Sequence, residues 1–367
     1  MEAGYQRVNS NISMIKYKFR DYPKKKPIKF YDNNRKKIKK LFKEDENILS
    51  IYEYGQTKAP GISDLDIIIV FKNKTKKKIL NKNKYDFINI DNELYDLIKF
   101  GNVIKMDSET FKNIQYFDKF NLSLIYGKKL NYIKPSQIEA KLLVQISIND
   151  WIPERILRLQ NIINNKTVNI SNSLCVLNSL CYSLKSIKKF IGYKKNINLI
   201  IKETNILRRD WHKIKNIEVR LIKLINFSIF ISKKYYHEYS IYFSKFHTHQ
   251  LLHTKYKEEI KYEIIKNNYI IFTNNINKIL KIEKKSTKNN IYISKSFYSH
   301  FSELANQKNS ISRTMKKKYN YFNYKNTKLN LDYKKLLIKK INLAENNKKF
   351  LRSVKISKGL IRYGYNA

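Results

Sequence analysis

The residues that decide the fold of this chain are 54–70, which read YGQTKAPGISDLDIIIV. The β-branched run Ile67–Val70 predicts a buried strand, and Pro60-Gly61 predicts a turn shortly before it. Two of the eight glycines in the chain, Gly55 and Gly61, fall in this loop. A chain so poor in glycine uses it where the backbone needs a positive φ or a close approach. The segment therefore predicts a tight loop that leads into a central strand.

Two carboxylates, Asp64 and Asp66, stand at the start of this strand. Because side chains alternate along a strand, both acids project from one face and Leu65 points to the other. Neighbouring carboxylates repel each other unless a cation neutralises them, and oxygen ligands suit Mg²⁺ or Mn²⁺. A loop containing glycine can aim its backbone N–H groups at phosphates. The pair is therefore predicted to bind Mg²⁺ (or Mn²⁺) beside a phosphate-binding loop.

The order of these features resembles a known family. An apolar strand, a glycine, a loop with a second glycine, Ser-Asp-x-Asp and a β-branched strand are similar to the nucleotidyltransferases of the DNA polymerase beta superfamily. Its members include tRNA CCA-adding enzymes, poly(A) polymerases and aminoglycoside nucleotidyltransferases. The resemblance covers roughly residues 34–135. It implies that Asp64 and Asp66 hold the metals.

The same resemblance implies roles for the loop residues. Gly55 and Gln56 would shape the triphosphate pocket, and Ser63 would orient the turn that carries the carboxylates. The family usually has serine after the first glycine, whereas this chain has Gln56, which can hydrogen-bond a phosphate but is bulkier. Lys58, beside the acids, has two interpretations: a contact to a phosphate or a solvated loop residue.

Members of the family usually carry a third carboxylate on a later strand, where it helps to deprotonate the attacking hydroxyl. The corresponding predicted strand, residues 102–106, contains no acid, so Asp107 at its end is the candidate. The resemblance implies transfer of a nucleoside monophosphate from an NTP such as ATP to an acceptor hydroxyl, with release of pyrophosphate. The acceptor is an RNA 3′ end or a small molecule.

Two other functions are open at this stage. If the third carboxylate fails, the chain is a non-catalytic nucleic-acid-binding protein on a degenerate nucleotidyltransferase scaffold. The Asp-x-Asp of metal-dependent glycosyltransferases is a rival interpretation of Asp64 and Asp66. It is disfavoured because an apolar strand normally precedes the acids in those enzymes and here it follows them.

The composition fits a folded, strongly basic protein. Hydrophobic residues make up 42% of the 367 residues, enough for two domains with cores. The 75 Lys and Arg residues against 30 Asp and Glu give a formal charge of +45, which favours RNA or DNA as a partner. Compositional drift toward Lys, Asn, Ile and Tyr explains the same charge equally well. A membrane-surface protein is a third interpretation, but no isolated amphipathic anchor helix is evident.

The cysteines and the hydropathy pattern bear on location. Cys175 and Cys181 lie six residues apart in an apolar segment, where two buried thiols are expected and no disulfide framework. No signal peptide and no run of transmembrane length are evident. The sequence therefore predicts a cytoplasmic protein without a membrane span.

The pattern along the chain predicts an α/β fold. We expect a basic lead-in at 1–33 and a nucleotidyltransferase-like domain at 34–135, with a small mixed sheet flanked by helices. A helical bundle is expected at 136–260 and a basic region with a hairpin and a helix at 261–367. Strands are predicted at 48–55, 64–71 and 101–106, and helices from about residue 34, at 91–99 and through Phe111–Phe120 toward Gly127.

The second half of the chain has weaker signals. After Pro153 there is no proline, and apolar stripes at helical spacing predict a bundle, with Asp150 as the cap of its first helix. Strands at 269–272 and 290–293 predict the hairpin, and 332–344 predicts the last helix. The histidines between Phe246 and His253 suggest zinc, but they lack the zincin spacing and a surface cluster is favoured. Residues 316–322 mix lysine with aromatics, a pattern of single-strand binding that chance explains slightly better.

Overall fold

The secondary structure of the chain alternates strands with helices up to residue 127 and is mainly helical after it. The computed structural model describes residues 16–351 except 56, 58, 76, 81–82, 88–90, 99–102, 118–120, 247–258, 264–268, 274–289, 294, 311, 314–315 and 317–328. The predicted fold class is confirmed: a small mixed sheet is flanked by helices, and a mostly helical region follows.

The elements of the first part, in chain order, are β1 (Lys18–Arg20), α1 (Ile28–Phe42), β2 (Ile48–Tyr54), β3 (Ile67–Phe71), α2 (Lys77–Leu80), a 3₁₀ turn (Asn83–Asp86), α3 (Asn92–Leu97), β4 (Val103–Asp107), α4 (Ser108–Lys112), a 3₁₀ turn (Ile114–Tyr116) and β5 (Leu122–Gly127). Those of the second part are α5 (Gln137–Asn164), β6 (Thr167–Asn169), α6 (Ile170–Ile191), α7 (Lys195–Asp210), α8 (Ile217–Phe246), β7 (Glu259–Glu263), β8 (Tyr269–Thr273), β9 (Asn290–Ile293), α9 (Lys295–Ala305) and α10 (Leu331–Leu351).

The chain divides into two compact units. An α/β unit comprises Lys24–Leu143, Asn309–Ile311 and Lys335–Ala367, and a helical unit comprises Met1–Pro23, Val144–Lys308 and Ser312–Lys334. The predicted lead-in and the predicted C-terminal region are therefore each divided between the two units. No described helix is long and apolar enough to cross a membrane.

The sheet of the α/β unit has the strand order β4-β3-β2-β5. Strand β3 runs parallel to β4, with Ile67 opposite Val103, and antiparallel to β2, with Ile68 opposite Tyr52. Strand β5 pairs antiparallel with the other side of β2. The end of β2 and the start of β3 therefore lie side by side, and the loop between them closes over this edge of the sheet.

The core of the α/β unit lies between α1 and one face of the sheet. All five side chains of β3 are buried, as the β-branched run predicted. The aromatic rings of this core pack in defined pairs: Phe42 of α1 is stacked on Tyr85 at 5.9 Å and meets Phe87 edge-on at 5.6 Å. Burying an aromatic side chain of this size contributes roughly 1.5–3 kcal/mol, so α1 is held to the sheet by a strong apolar contact.

Helix α1 begins at Ile28, earlier than the sequence indicated. Pro27 is its N-cap in an extended conformation, and the helix buries Tyr31, Ile38 and Phe42 on one face. The five lysines between residues 29 and 40 concealed this apolar stripe, because they lie on the exposed faces of the same helix. The predicted lead-in thus contains the first turns of a core helix.

The predicted helix through Phe111–Phe120 is wrong. The structure has the short helix α4, a 3₁₀ turn and then β5. Gly127 ends this strand with φ +86°, and a Cβ there would lie 2.2 Å from the carbonyl oxygen of Leu49. Pairing with β2 therefore makes residues 122–127 a strand, where the sequence predicted the end of a helix.

The helical unit corrects two further predictions. Asp150 is not a helix cap, because it lies with Pro153 inside the single long helix α5. Strands β8 and β9 do not form a hairpin, since they pair parallel, and β7 pairs antiparallel with β8. The predicted apolar stripes are confirmed in α6 and α8, and the last helix in α10.

Candidate functional site

The acid pair lies just before β3, in extended backbone. Leu65 is fully buried and belongs to the core beneath α1, whereas Asp64 and Asp66 on either side of it are half-buried. This alternation directs both carboxylates away from α1, to the opposite face of the sheet. Two backbone hydrogen bonds hold the segment: the N–H of Leu65 donates to Leu97, and the N–H of Tyr54 donates to Asp66, each at 3.0 Å.

Tyr31 of α1 fixes the turn that precedes the acids. Its hydroxyl donates to the carbonyl oxygen of Ser63 at 2.8 Å and accepts from the N–H of Gly61 at 2.9 Å. The Ser63 hydroxyl accepts from the N–H of Ala59 at 3.2 Å. Ser63 therefore shapes the turn through its own side chain and is itself held by a buried tyrosine.

Arg35, one helical turn after Tyr31, holds the other end of the loop. Its guanidinium donates to both carboxylate oxygens of Glu53, at 2.7 and 2.9 Å, and to Thr57 at 3.2 Å. The hydrogen bond to Glu53 raises the pKa of Arg35 above its usual value, an effect that burial partly opposes. Bidentate pairs of this kind are geometrically specific. Two side chains of one helix face thus fix both ends of the loop.

Both glycines of the loop have the positive φ that sequence predicted, Gly55 at +90° and Gly61 at +87°. A Cβ at Gly61 would lie only 2.1 Å from the carbonyl oxygen of Lys24, so another chain segment packs directly against this turn. A Cβ at Gly55 would have no atom within 4 Å, and the Gly55 N–H donates to Asn121 at 2.9 Å. Gly55 therefore leaves open space at the end of β2, next to the strand that the acid pair precedes.

Three predicted site residues remain. Gln56 and Lys58 lie outside the described residues, and Asp107 lies away from the acid pair. Asp107 is opposite Phe71 in the parallel pair of β3 and β4, five positions along the strands from Asp66. At about 3.3 Å per residue this separates the two by roughly 16 Å. Asp107 instead caps α4, accepting from the N–H of Thr110 at 2.7 Å, so the prediction of a third carboxylate there is corrected.

The register between β3 and β4 shows which residues of β4 lie on the face of the acid pair, where a third carboxylate would be needed. Residues 104 and 106 share the face of the acid pair, and both are apolar, Ile104 and Met106. The position level with Asp66 is residue 102, which is outside the described residues. Across the part of the chain that the structure describes, no group of three or more His, Cys, Asp and Glu side chains is arranged to hold a metal ion.

The donor set nevertheless suits Mg²⁺. This ion is commonly held by one or two carboxylates, with waters and substrate phosphates filling the other positions. Asp64 and Asp66 supply two carboxylates on one face, at the edge of the sheet where β2 ends and Gly55 follows. The arrangement therefore fits an ion that arrives together with a phosphate ligand, and not a closed protein cage.

The helical unit contains a second polar cluster, which is fully buried. Each donor in it has an acceptor: Ser296 to Tyr236 at 3.3 Å, Tyr236 to Asn149 at 3.0 Å and Asn149 to Tyr333 at 3.0 Å. His300 lies 2.8 Å from Tyr333 through Nδ1 and 2.5 Å from Asp150 through Nε2. With the imidazole proton on Nε2, the chain of hydrogen bonds runs in one direction and ends on the carboxylate of Asp150.

Sequence reasoning missed Tyr31, Arg35, Glu53 and the partners of Asp150. The spacing of Tyr31 and Arg35 on one face of a helix was available, but the start of α1 was misplaced, so the signal was not used. The histidines 247, 249 and 253 lie outside the described residues, as do most of residues 316–322, where Lys316 is described and exposed.

Comparison of the chain with models of protein families, with curated proteins and with solved structures found no match. The assignment of a function therefore depends on the motif and on the geometry of the α/β unit.

Proposed function

We propose that the α/β unit is a metal-dependent nucleotidyltransferase that moves a nucleoside monophosphate from an NTP to an acceptor hydroxyl. One observation carries the proposal: two carboxylates lie on one face at the start of β3, beside a glycine with positive φ at the end of the antiparallel neighbour β2. The five residues of β3 that follow the acids are all apolar and buried, which supports a functional explanation for two acids at its start.

The reaction divides among the residues as follows. Asp64 and Asp66 bind the divalent ion, which when bound supplies positive charge to the phosphate oxygens of the substrate. The loop 55–63 binds the triphosphate, with Gly55 leaving space for it. The acceptor oxygen forms a bond to the α-phosphorus, and the bond from that phosphorus to the bridging oxygen of pyrophosphate breaks. The hydroxyl proton passes to solvent or to a base that the described residues of β4 do not supply.

Helix α1 prepares the loop for this role. Because Tyr31 and Arg35 already satisfy polar groups of the loop, little ordering remains to be done when the substrate binds. Preorganised positioning of this kind accounts for much of the catalysis in phosphoryl transfer.

A second function is favoured by the apolar residues of β4. A chain without a third carboxylate on the face of Asp64 and Asp66 would lose the group that accepts the proton. Such a chain would bind nucleotide or nucleic acid and would not turn over. The alternative function is therefore that of a non-catalytic nucleic-acid-binding protein.

Pyrophosphate release tests the proposal. The full chain is incubated with Mg²⁺ and each of the four ribonucleoside triphosphates, with and without a short RNA as acceptor. We expect release with at least one of them, and none with Asp64→Asn or after chelation of the metal. Asp96→Asn is the matched control, since Asp96 is an exposed aspartate of α3 outside the loop. No release under any condition, together with tight and salt-sensitive RNA binding, would support the alternative.

A further inference from the structure

A groove runs along α1 on the side of the unit away from the acid pair. Its volume is ≈ 450 Å³, within the range of pockets that hold small ligands. One wall is a face of α1 and the other is β5, which is the last strand of its sheet. The lining residues are Ile28, Asp32, Arg35, Lys36, Lys39, Glu53, Gly55, Thr57, Ser123, Leu124 and Ile125.

The charges in this groove leave two cations without an ion-pair partner among the described residues. The acids of the lining, Asp32 and Glu53, are both paired with Arg35, at 2.8 and 2.7 Å. Lys36 and Lys39 are exposed, and neither forms an ion pair within the part of the chain that the structure describes. Helix α1 as a whole carries six basic residues and one acidic residue. The groove therefore presents positive charge that no described side chain neutralises.

One end of the groove belongs to the candidate nucleotide loop. Gly55 and Thr57 line it there, and the N–H of Tyr54, just before Gly55, donates to the backbone carbonyl of Asp66. Neighbouring strands are about 4.8 Å apart, so β5 lies two strand spacings, or roughly 10 Å, from β3. A ligand lying in the groove would thus reach the loop that precedes the acid pair from the α1 side of the sheet.

The rim of the groove is apolar as well as basic. Ile28 at the start of α1 is 52% exposed and Leu124 of β5 is 44% exposed. Each nucleotide of a single strand joins a charged phosphate to a planar base and a sugar with apolar faces. Lysines along one wall and exposed aliphatic side chains on the rim match this combination.

From these observations we infer that the groove between α1 and β5 binds single-stranded nucleic acid, with phosphates at Lys36 and Lys39 and its end directed toward Gly55. That the bound strand serves as the acceptor rests on the proposed function. Binding itself requires neither the metal nor turnover.

The salt dependence of binding tests the groove. A labelled single-stranded oligoribonucleotide is titrated with the full chain at several salt concentrations, and Lys36→Gln/Lys39→Gln is compared with Lys29→Gln/Lys40→Gln. Both pairs lie on α1, both remove one lysine of its last turn, and only the first lines the groove. Removing one lysine that binds a phosphate should flatten the plot of log K against log salt by about 0.7.

For Lys36→Gln/Lys39→Gln we expect the slope of log K against log salt to be about 1.4 shallower than in wild type. Raising the salt concentration from 50 to 200 mM should then weaken its binding roughly sevenfold less than that of wild type. The control pair should keep the wild-type slope. Equal slopes for the two pairs would overturn the inference. Asp64→Asn should bind like wild type, which separates a failure of the groove from a failure of the proposed catalysis.

Cross-linking locates the strand, since a chain of this charge attracts RNA at many places. An oligoribonucleotide carrying 4-thiouridine is irradiated with the protein, and the cross-linked peptides are identified by mass spectrometry. Cross-links to 28–39 or 123–125 support the groove, and cross-links found only elsewhere overturn it. Displacement of the strand from these peptides by an equal concentration of an acidic peptide would also overturn it, in favour of a protein partner.

Discussion

The two units of this chain place aspartate in opposite surroundings. Asp64 and Asp66 of the α/β unit are half-buried and point away from the core beneath α1. Asp150 of the helical unit is 2% exposed and receives a hydrogen bond from the equally buried His300. The first pair is accessible to a ligand, whereas the second carboxylate is enclosed and hydrogen-bonded within the protein.

The difference in burial predicts which acids serve function and which serve structure. A buried carboxylate with a fixed partner contributes to the specificity of packing, and its partner cannot be removed without a large cost. Asp64 and Asp66 are only half-buried, and two carboxylates on one face at a strand end suit a bound cation. Substitutions of the half-exposed acids should therefore affect activity, and substitutions in the buried cluster should affect stability.

The largest effect is expected for Asp64→Asn. If the pair holds the metal, loss of one carboxylate should lower pyrophosphate release on the order of 10⁴-fold, because the charge on the substrate is then poorly compensated. The midpoint of thermal unfolding should change little, since the side chain is not in the core. Asp96→Asn should leave both quantities unchanged. A large drop in unfolding temperature for Asp64→Asn would contradict a functional role.

The next largest effect is expected in the helical unit. His300→Leu removes a hydrogen-bond donor from the buried carboxylate of Asp150, which should lower the free energy of unfolding by about 3 kcal/mol. Urea denaturation followed by circular dichroism measures it. The double variant Asp150→Leu/His300→Leu should recover part of the loss, and His212→Leu, at an exposed histidine, should cost little. Equal free energies of unfolding for the His300 and His212 variants would show that the buried cluster does not stabilise the helical unit.

An intermediate effect is expected at Asp45, between α1 and β2, which combines burial with fixed partners inside the α/β unit. Burial alone would raise its pKa, but hydrogen bonds from Lys84, Tyr85 and Asn47 lower the pKa of Asp45 to about 2. A lowered carboxyl pKa stabilises the fold above the unfolded value of about 4, and this contribution is lost as pH falls through about 2. Asp45→Asn should therefore cost about 2 kcal/mol at pH 6.

The same comparison of Asp45→Asn with wild type at lower pH checks the sign. The difference in urea stability between the two proteins should shrink between pH 4 and 2. A difference that stays constant over this range would show that Asp45 contributes by packing and not as an anion.

The smallest effect is expected at Tyr31→Phe, which deletes only the hydroxyl that joins Gly61 to Ser63. Freeing the turn should lower kcat about tenfold, while the stability falls by about 1 kcal/mol, the worth of an ordinary hydrogen bond. Tyr85→Phe is the control, because its hydroxyl bonds Asp45, away from the loop. Equal losses of kcat for the two variants would show that Tyr31 acts through stability alone.

Local patterns explain which parts of the α/β unit could be predicted from sequence. The run Ile67–Val70 and the glycines of the loop act over short distances, so β2, β3 and the extended pair of acids were predictable. Asp107 was misassigned because its role depends on the register between β3 and β4, which no local pattern contains. The prediction of a helix in place of β5 failed for the same reason, since that strand exists through its pairing with β2.

Contacts between distant residues could not be predicted at all. Arg35 and Glu53 are 18 residues apart, and His300 and Asp150 are 150 apart. Asp150 near Pro153 fitted the pattern of a helix start, because proline is common in a first turn. In the structure the proline lies within α5, where it cannot donate to the carbonyl of Asn149, whose side chain joins the buried cluster.

The close approach of Gly61 to Lys24 has a practical meaning for anyone who shortens this protein. The carbonyl oxygen of Lys24 occupies the place where a side chain at residue 61 would stand, so the two backbone segments touch directly. A fragment starting at residue 34, the boundary that sequence suggests, would uncover the turn and also discard the tyrosine beneath it. Fragments intended to retain the loop 55–63 should therefore keep the chain from Lys24 onward, although that stretch is rich in lysine and looks dispensable.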